Sequence, residues 1–162
     1  MSDRDDTTMM LSNLLEKRLS NRYRLWAAEV TFDESTENEI RIDFMGFNPK
    51  RISNRTKATS VDLGTFDCYE VKSCMGDFNS GHGLNFVGDH NYLVCTRELY
   101  DQLHRSCRIP LEVDGVLVPD APGKKLIQVS EIFNECRRVH PASEMLWQMM
   151  CAYYTKIEVS NE

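Results

Sequence analysis

The amino-acid sequence predicts an α/β fold in which a central mixed sheet is flanked by helices. Apolar residues recur at helical spacing near both ends of the chain, in residues 7–20 and 143–156. The text between these segments contains short alternating or compact apolar runs, which are typical of strands. The resulting order is helix, three strands, irregular loop, strand, helix, two strands and helix. Such an alternation of element types indicates an α/β sandwich.

The first half of the chain predicts a helix packed on an antiparallel meander. The expected strands are 26–32, 39–47 and 65–73. In the second of them Ile40, Ile42 and Phe44 should share one face, and Glu39, Arg41 and Asp43 the other. Residues 48–60 are polar, basic and contain a proline, so they are expected to form a loop.

The second half begins with a glycine-rich, irregular segment, 76–90. After it we expect a buried strand at 91–95, a helix at 96–106 that starts with a threonine cap, and strands at 113–120 and 125–131. In the last helix, the predicted buried stripe consists of Leu146, Met149, Met150 and Tyr153.

Length and composition indicate one globular domain over residues 1–162. The apolar content of 41% and the charged content of 27% are ordinary for globular proteins. No run of 18 apolar residues exists, so we expect no membrane span. The acidic, polar start MSDRDDTT has no apolar core of a secretory signal, so a cytoplasmic location is expected. The six cysteines contain no C-x-x-C pair and are interpreted as reduced, apolar fillers.

The charge pattern contains a basic island on an acidic chain. The net charge is −6, yet no acidic residue lies between Asp43 and Asp62, where Lys50, Arg51, Arg55 and Lys57 all fall. Affinity for nucleic-acid phosphates depends on such cations. A phosphate-binding loop and a merely solvated loop are both compatible with this pattern.

Three residues of the predicted meander carry the chemistry, namely Asp43, Glu70 and Lys72. Residues two apart on a strand point to the same face, about 7 Å apart, so Glu70 and Lys72 are neighbours while Val71 faces the apolar side. If strands 39–47 and 65–73 pair, Asp43 lies beside Glu70. Two carboxylates at such a separation suit Mg²⁺ (or Mn²⁺), which lowers the pKa of a bound water. The lysine can orient that water and stabilise a developing oxyanion.

Alternatives to this assignment remain open at the level of sequence. Glu and Lys are frequent on exposed strands, where they have no role beyond solvation. Asp62 and Asp67 are alternatives to Asp43 as the acid that binds metal together with Glu70, although Asp67 has the wrong strand parity to join Glu70. His82 lies between two glycines and can contact a phosphate, or it is a loop histidine without a role.

The segments RIDFMGF and YEVKSCMGDF, followed by the aromatic strand NYLVC, resemble the PD-(D/E)XK nuclease superfamily. More narrowly, they are similar to its phage and bacterial DNA-repair branch, whose members read roughly R-x-D…E-[IV]-K-x-x-x-x-D-F…Y. The resemblance covers about residues 39–95. It implies a restriction-endonuclease-like α-βββ-α-β core.

The resemblance also implies residue roles. Asp43 and Glu70 stand at the two metal-binding acids and Lys72 at the catalytic lysine, while Glu16 stands for a helix-borne metal ligand that many members use. Asp77, with Phe78, matches the D-F pair and is expected to position a loop. One departure is that Ile42, not proline, precedes the first acid, and another is the long basic loop between the acids.

The function expected from these observations is metal-dependent DNA endonuclease activity in DNA repair, recombination or phage DNA processing. DNA is then the partner, with Lys50, Arg51, Arg55, Lys57 and His82 as candidate contacts and a homodimer as one way to cut both strands. The alternative is a non-catalytic protein that keeps the nuclease fold and binds a host or phage protein.

Overall fold

A computed structural model describes residues 3–51, 58–131 and 138–160. The helices are α1 (Asp3–Arg22), α2 (Ala58–Asp62), α3 (Met75–Asn79), α4 (Arg97–Arg105) and α5 (Ala142–Ser160). The strands are β1 (Leu25–Phe32), β2 (Ile40–Asn48), β3 (Thr65–Lys72), β4 (His90–Cys95), β5 (Gly115–Pro119) and β6 (Leu126–Glu131). The short helix α2 occupies the end of the segment predicted to be all loop. The expected cap of α4 is present, since the Thr96 side chain accepts a hydrogen bond from the Leu99 backbone N–H at 3.2 Å.

All six strands form one mixed sheet in which their spatial order equals their order in the chain. β1, β2 and β3 are an antiparallel meander, as the sequence predicts. β3, β4 and β5 run parallel, and β6 returns antiparallel to β5. A parallel pair requires a crossover, and here α3 with its following loop connects β3 to β4 while α4 connects β4 to β5. The predicted α/β class with a mixed sheet is therefore confirmed.

Helices cover both faces of this sheet. On one face, α1 inserts Leu11, Leu15 and Leu19 among apolar residues that include Tyr69 and Val71 of β3. On the other face, α5 covers the β1–β3 end of the sheet in a cluster that includes Val30, Phe32, Met145 and Met149. α4 covers the β4–β5 end in a second cluster that includes Leu93, Leu99, Leu103 and Val116. Glu70 and Lys72 lie between these two clusters because they have the opposite parity to Tyr69 and Val71.

The clean alternation predicted for residues 39–47 is wrong at one position. Ile40 and Ile42 pack in the cluster under α5, whereas Phe44 packs in the cluster under α1. The parity therefore changes at Asp43. The change coincides with an interruption of the β1–β2 pairing, where Glu29 adopts a left-handed backbone with φ 54° opposite Asp43.

The predicted buried stripe of the last helix is partly wrong. Met149 is buried and Leu146 is partly buried, but Met150 and Tyr153 are 39% and 51% exposed. The buried positions are instead Ala142, Met145 and Met149, which repeat at the three- to four-residue spacing of a single helix face. The outer face carries Trp147, Met150 and Tyr154.

A buried carboxylate ties α1 to the start of β3 and β4. Asp67, 1% exposed, accepts hydrogen bonds from the Tyr23 hydroxyl, from Arg22 at 3.4 Å and from Asn48 at 3.4 Å. Its other oxygen lies 2.8 Å from Nδ1 of His90, and this interaction raises the pKa of His90. Buried carboxylates are tolerated when they are paired and hydrogen-bonded in this way.

Two further observations concern the described part of the chain. None of its five cysteines, Cys68, Cys74, Cys95, Cys107 and Cys151, forms a disulfide, and Cys136 lies outside the described residues. No helix within these ranges is both long and apolar enough to cross a bilayer.

We predict that Asp67→Asn lowers the free energy of unfolding by about 3 kcal/mol, because the amide leaves buried donors unpaired and removes the charge that holds Arg22 and His90. Urea unfolding at pH 7 measures the change. Asp62→Asn, at an exposed position near the same end of β3, should change stability by no more than about 0.5 kcal/mol. Equal stability of the two variants would contradict the anchoring role.

Candidate active site

Asp43 lies where β2 separates from β3. The β2–β3 ladder pairs Asn48 with Thr65 through to Phe44 with Tyr69, and it stops there. The next position would place Asp43 opposite Glu70. Instead of a backbone pair, the Asp43 carboxylate accepts a hydrogen bond from the Val71 backbone N–H at 2.8 Å. The side chain thus takes the place of a missing strand contact, which fixes its carboxylate beside β3.

Glu70 and Lys72 are buried side chains in the centre of the sheet. Glu70 is 0% exposed and Lys72 is 5% exposed, and they pair in register with Leu93 and Cys95 of β4. Neither carboxylate oxygen of Glu70 makes a hydrogen bond of normal geometry. A buried carboxylate without such a partner is costly and rare in folded proteins. Glu70 and Lys72 therefore do not lie on a solvent-exposed strand face, which was the alternative interpretation of these residues.

The loop after α3 passes directly over these two residues. Nζ of Lys72 donates a hydrogen bond to the carbonyl oxygen of His82 at 2.6 Å. Gly83 adopts φ 64°, and a Cβ at this position would lie 3.2 Å from both Oε2 of Glu70 and Nζ of Lys72. Glycine therefore allows both the left-handed backbone and the close approach. The side chain of His82 itself is exposed.

Burial and neighbouring charges shift the pKa values of the two carboxyl groups of the site, Asp43 and Glu70. Burial, together with the nearby Asp43 carboxylate, raises the pKa of Glu70 to about 10, although Lys72 and the Asn85 backbone N–H act in the opposite direction. Burial also raises the pKa of Asp43, against the Val71 N–H and the charge of Lys72. Two neighbouring carboxyl groups whose pKa values are both raised favour the protonated form, and a cation bound beside them would oppose this effect.

Asp77 closes the turn that follows the strand. It is buried, and its Oδ2 accepts a hydrogen bond from the Ser73 backbone N–H at 3.1 Å, while Oδ1 pairs with Arg4 of α1 at 2.7 Å. Phe78 beside it packs with the cluster under α4. These contacts agree with a role in positioning the loop.

The other candidate acids lie elsewhere. Glu16 is on α1, whose buried stripe packs on the sheet face opposite to that of Glu70. Asp62 is exposed at the end of α2, before β3 begins. Glu70 is the sixth residue of β3, so Asp62 lies toward the other end of this strand. Asp67 faces the α1 side with Tyr69, as its parity predicts. Asp43 is the one of these acids that the structure brings to Glu70.

The described residues of the basic island, Lys50 and Arg51, follow the end of β2 that lies away from Asp43. Lys50 and Arg51 are exposed just beyond Asn48, where the Lys50 N–H bonds the carbonyl of Ser60 at 2.8 Å. Asn48 is five positions along the strand from Asp43, which corresponds to about 17 Å. Arg55 and Lys57 lie outside the described residues.

Three participants of the site were missed by sequence reasoning, namely the His82 carbonyl, Gly83 and Asn85. Besides its N–H near Glu70, Asn85 donates from Nδ2 to the carbonyl of Arg41 at 3.2 Å and so ties the covering loop to β2. The signal available in the sequence was the glycine-rich text S-G-H-G-L-N, which indicates an irregular loop but not what it covers.

The donor set fits a hard divalent cation. Within the ranges that the structure describes, no group of three His, Cys, Asp or Glu residues is arranged to hold a metal ion. Mg²⁺, however, characteristically takes one or two carboxylates and completes its shell with water and phosphate oxygens. Glu70, whose oxygens make no hydrogen bond of normal geometry, and the neighbouring Asp43 provide two carboxylates.

Comparisons of the chain with protein-family profiles, with curated proteins and with solved structures found no match.

We predict that Glu70→Gln stabilises the metal-free protein increasingly as the pH rises from 5 to 8. The folded state retains the Glu70 proton up to a pKa of about 10, but the unfolded chain releases it near the ordinary value of 4.5. Between these values the folded state binds more protons, so rising pH destabilises the wild type by at most about 1.4 kcal/mol per pH unit.

Urea unfolding in EDTA at four pH values measures this difference. The control is Glu131→Gln, which changes an exposed carboxylate on β6 and should shift stability equally at every pH. A Glu70→Gln stability gain that is constant with pH would show that Glu70 is ionised in the folded protein.

Proposed function

We propose that this protein is a metal-dependent deoxyribonuclease that hydrolyses phosphodiester bonds, with Asp43, Glu70 and Lys72 as its active centre. The observation that carries the proposal is the fully buried Glu70 carboxylate beside Asp43 and Lys72, whose oxygens make no hydrogen bond of normal geometry. A core that only had to fold would be better served by an apolar residue at this position. Buried ionisable groups with strongly shifted pKa values are typical of functional sites.

The topology supports the same proposal at the level of fold. Apart from the short helix α2 between β2 and β3, the order α1, β1–β3, α3 and β4 is that of an α-βββ-α-β core. That is the core implied by the resemblance of the RIDFMGF and YEVKSCMGDF segments to PD-(D/E)XK nucleases. Folds host many functions, so the residues of the site carry the argument and the topology only agrees with it.

Each side chain has a chemical role in this proposal. Asp43 and Glu70 would hold Mg²⁺ or Mn²⁺, which when bound supplies a water of lowered pKa and charge stabilisation at the scissile phosphate. Lys72 donates to a phosphate oxygen or the attacking water once its ammonium leaves the His82 carbonyl. The Val71 N–H keeps the Asp43 carboxylate oriented throughout.

The basic island is proposed to contact DNA away from the scissile bond. Phosphates of one strand repeat about every 3.4 Å along B-DNA, so the separation of about 17 Å between Asn48 and Asp43 corresponds to about five nucleotides. Lys50 and Arg51 could therefore contact the backbone of the same DNA segment. His82 lies nearer, on the loop that covers Glu70 and Lys72.

A second candidate is a non-catalytic protein that binds a host or phage protein, and the outer face of α5 favours it. Trp147 and Tyr154 are 62% and 60% exposed there, beside Met150. Aromatic residues and methionine are enriched at protein interfaces. The same surface is available to a second copy of the chain in a homodimeric nuclease, so it does not by itself exclude catalysis.

We predict that Lys72→Met lowers the rate of plasmid nicking by about 10²- to 10³-fold, because the lysine stabilises charge that develops only in the transition state. Methionine retains the packing of the buried stem. Supercoiled plasmid is incubated with pure protein and Mg²⁺ or Mn²⁺, and relaxed DNA is quantified. The control is Lys17→Met, at an exposed position on α1, which should cleave like wild type.

Calorimetry with Mn²⁺ separates catalysis from metal binding. Lys72→Met should retain the binding event, whereas Asp43→Asn and Glu70→Gln should each lose it. A wild type that cleaves no form of DNA with any divalent metal would leave the protein-binding candidate. Unchanged cleavage by Lys72→Met would remove the lysine from the mechanism.

We predict that replacing both Lys50 and Arg51 with alanine lowers the log–log salt slope of DNA binding by about 1.8, since each lost phosphate contact contributes about 0.9. The slope is measured by fluorescence anisotropy with a labelled duplex at NaCl concentrations between about 50 and 200 mM. Replacing Lys124 and Lys125, exposed in the β5–β6 turn, is the control. An unaltered slope would mean that Lys50 and Arg51 do not contact DNA phosphates and are only solvated.

A further inference from the structure

The β1–β2 ladder is interrupted directly beside the candidate metal site. Ala28 pairs with Phe44 and Val30 with Ile42, so the intervening Glu29 and Asp43 face each other at a position that forms no pair. Glu29 has φ 54°, in the left-handed region that side chains other than glycine rarely adopt. The other such residues that the structure describes, Asp33, Ser35 and Cys107, lie outside the strands.

Both strands change parity at this interruption. In β1, Ala27 and Val30 pack in the same cluster although they are three positions apart, and in β2 the same holds for Ile42 and Met45. A regular strand would place such residues on opposite faces. The interruption therefore rotates the two strands together and leaves Asp43 at the point of rotation.

This rotation makes the position of Asp43 possible. Its carboxylate reaches the Val71 N–H at the end of the β2–β3 ladder, in the place where a regular strand would continue its backbone pairing. β-Bulges, which also interrupt a ladder although by an extra residue, are known to re-aim side chains next to active sites. Asp43 has no left-handed backbone of its own, so the unusual conformation is carried by Glu29.

The carboxylate of Glu29 does not account for the effect. Its side chain is exposed, and it is absent from the groups that shift the pKa of Asp43 or Glu70. The contribution of this position is therefore its backbone conformation rather than its charge.

We infer that Glu29 is a positioning residue, whose left-handed backbone directs the Asp43 carboxylate to Val71 and so to the metal site formed with Glu70. The part of this inference that concerns metal rests on the proposed function. The part that concerns the Asp43–Val71 hydrogen bond stands on the geometry alone.

Three substitutions separate backbone from charge. Glu29→Gln removes the charge but leaves the backbone preference of the residue nearly unchanged. Glu29→Gly adopts the left-handed backbone without strain. Glu29→Val opposes it, because a β-branched residue is a genuine outlier at positive φ. Glu29→Ala opposes it less strongly and carries the test if the valine variant does not fold.

Two readouts follow the consequence in the full chain. The first is amide hydrogen exchange at Val71, with the Leu93 amide of β4 as an internal reference for global stability. The second is Mn²⁺ affinity by calorimetry. Glu29→Val should lose about tenfold or more of the Val71 protection relative to Leu93, since the hydrogen bond from the Val71 N–H to Asp43 is removed. Its Mn²⁺ affinity should fall about 10- to 100-fold, as is typical when a ligand loses its orientation.

The glycine and glutamine variants should match wild type in both readouts within about twofold, because both retain the backbone conformation. Equal Val71 protection in Glu29→Val (or Glu29→Ala) and Glu29→Gln would overturn the inference. If wild type binds no Mn²⁺, the proposed function fails, and the Val71 exchange still decides whether Glu29 positions Asp43.

Discussion

The pairing register of β2 with β3 is the constraint on which the rest of the structure depends. It places Phe44 against Tyr69, and hence Asp43 beside Glu70 one step further on. A slip of one residue would exchange the two faces of β2 and remove the carboxylate from the site. Aromatic packing opposes such a slip, since the rings of Phe47 and Phe66 lie 4.7 Å apart on one face.

Close packing on the opposite face reinforces this register. A Cβ on Gly46 would lie 2.8 Å from the ring of Tyr23, so only glycine accommodates the ring there. The Tyr23 hydroxyl then bonds Asp67 and Tyr69 of the neighbouring strand. β3 therefore carries two buried carboxylates on opposite faces. Asp67 is fully hydrogen-bonded and stabilises the sheet, whereas Glu70 is not, and its burial is a cost that the remaining packing must offset.

Sequence periodicity predicted the parts of the site that follow from regular strands. A period of two put Glu70 and Lys72 on one face with Val71 on the other, and pairing of adjacent strands brought Asp43 to them. The parity change at Glu29 could not be read from the sequence, because glutamate carries no signal for a left-handed backbone. The contact of the His82–Gly83 loop with Lys72 could not be predicted for another reason. A glycine-rich sequence indicates an irregular loop but not its tertiary contacts. The stripe of α5 was misassigned because apolar residues occur on both of its faces.

The packing of α5 on the first two strands has a consequence for synthesis of the chain. Met145 and Met149 cover Val30, Phe32 and Ile42, more than a hundred residues earlier in sequence. During translation, β1–β3 can pair as a local meander while this apolar face is still uncovered by its helix. The nascent chain therefore exposes an aggregation-prone sheet surface until α5 has left the ribosome, and chaperones that hold apolar segments would act in that interval.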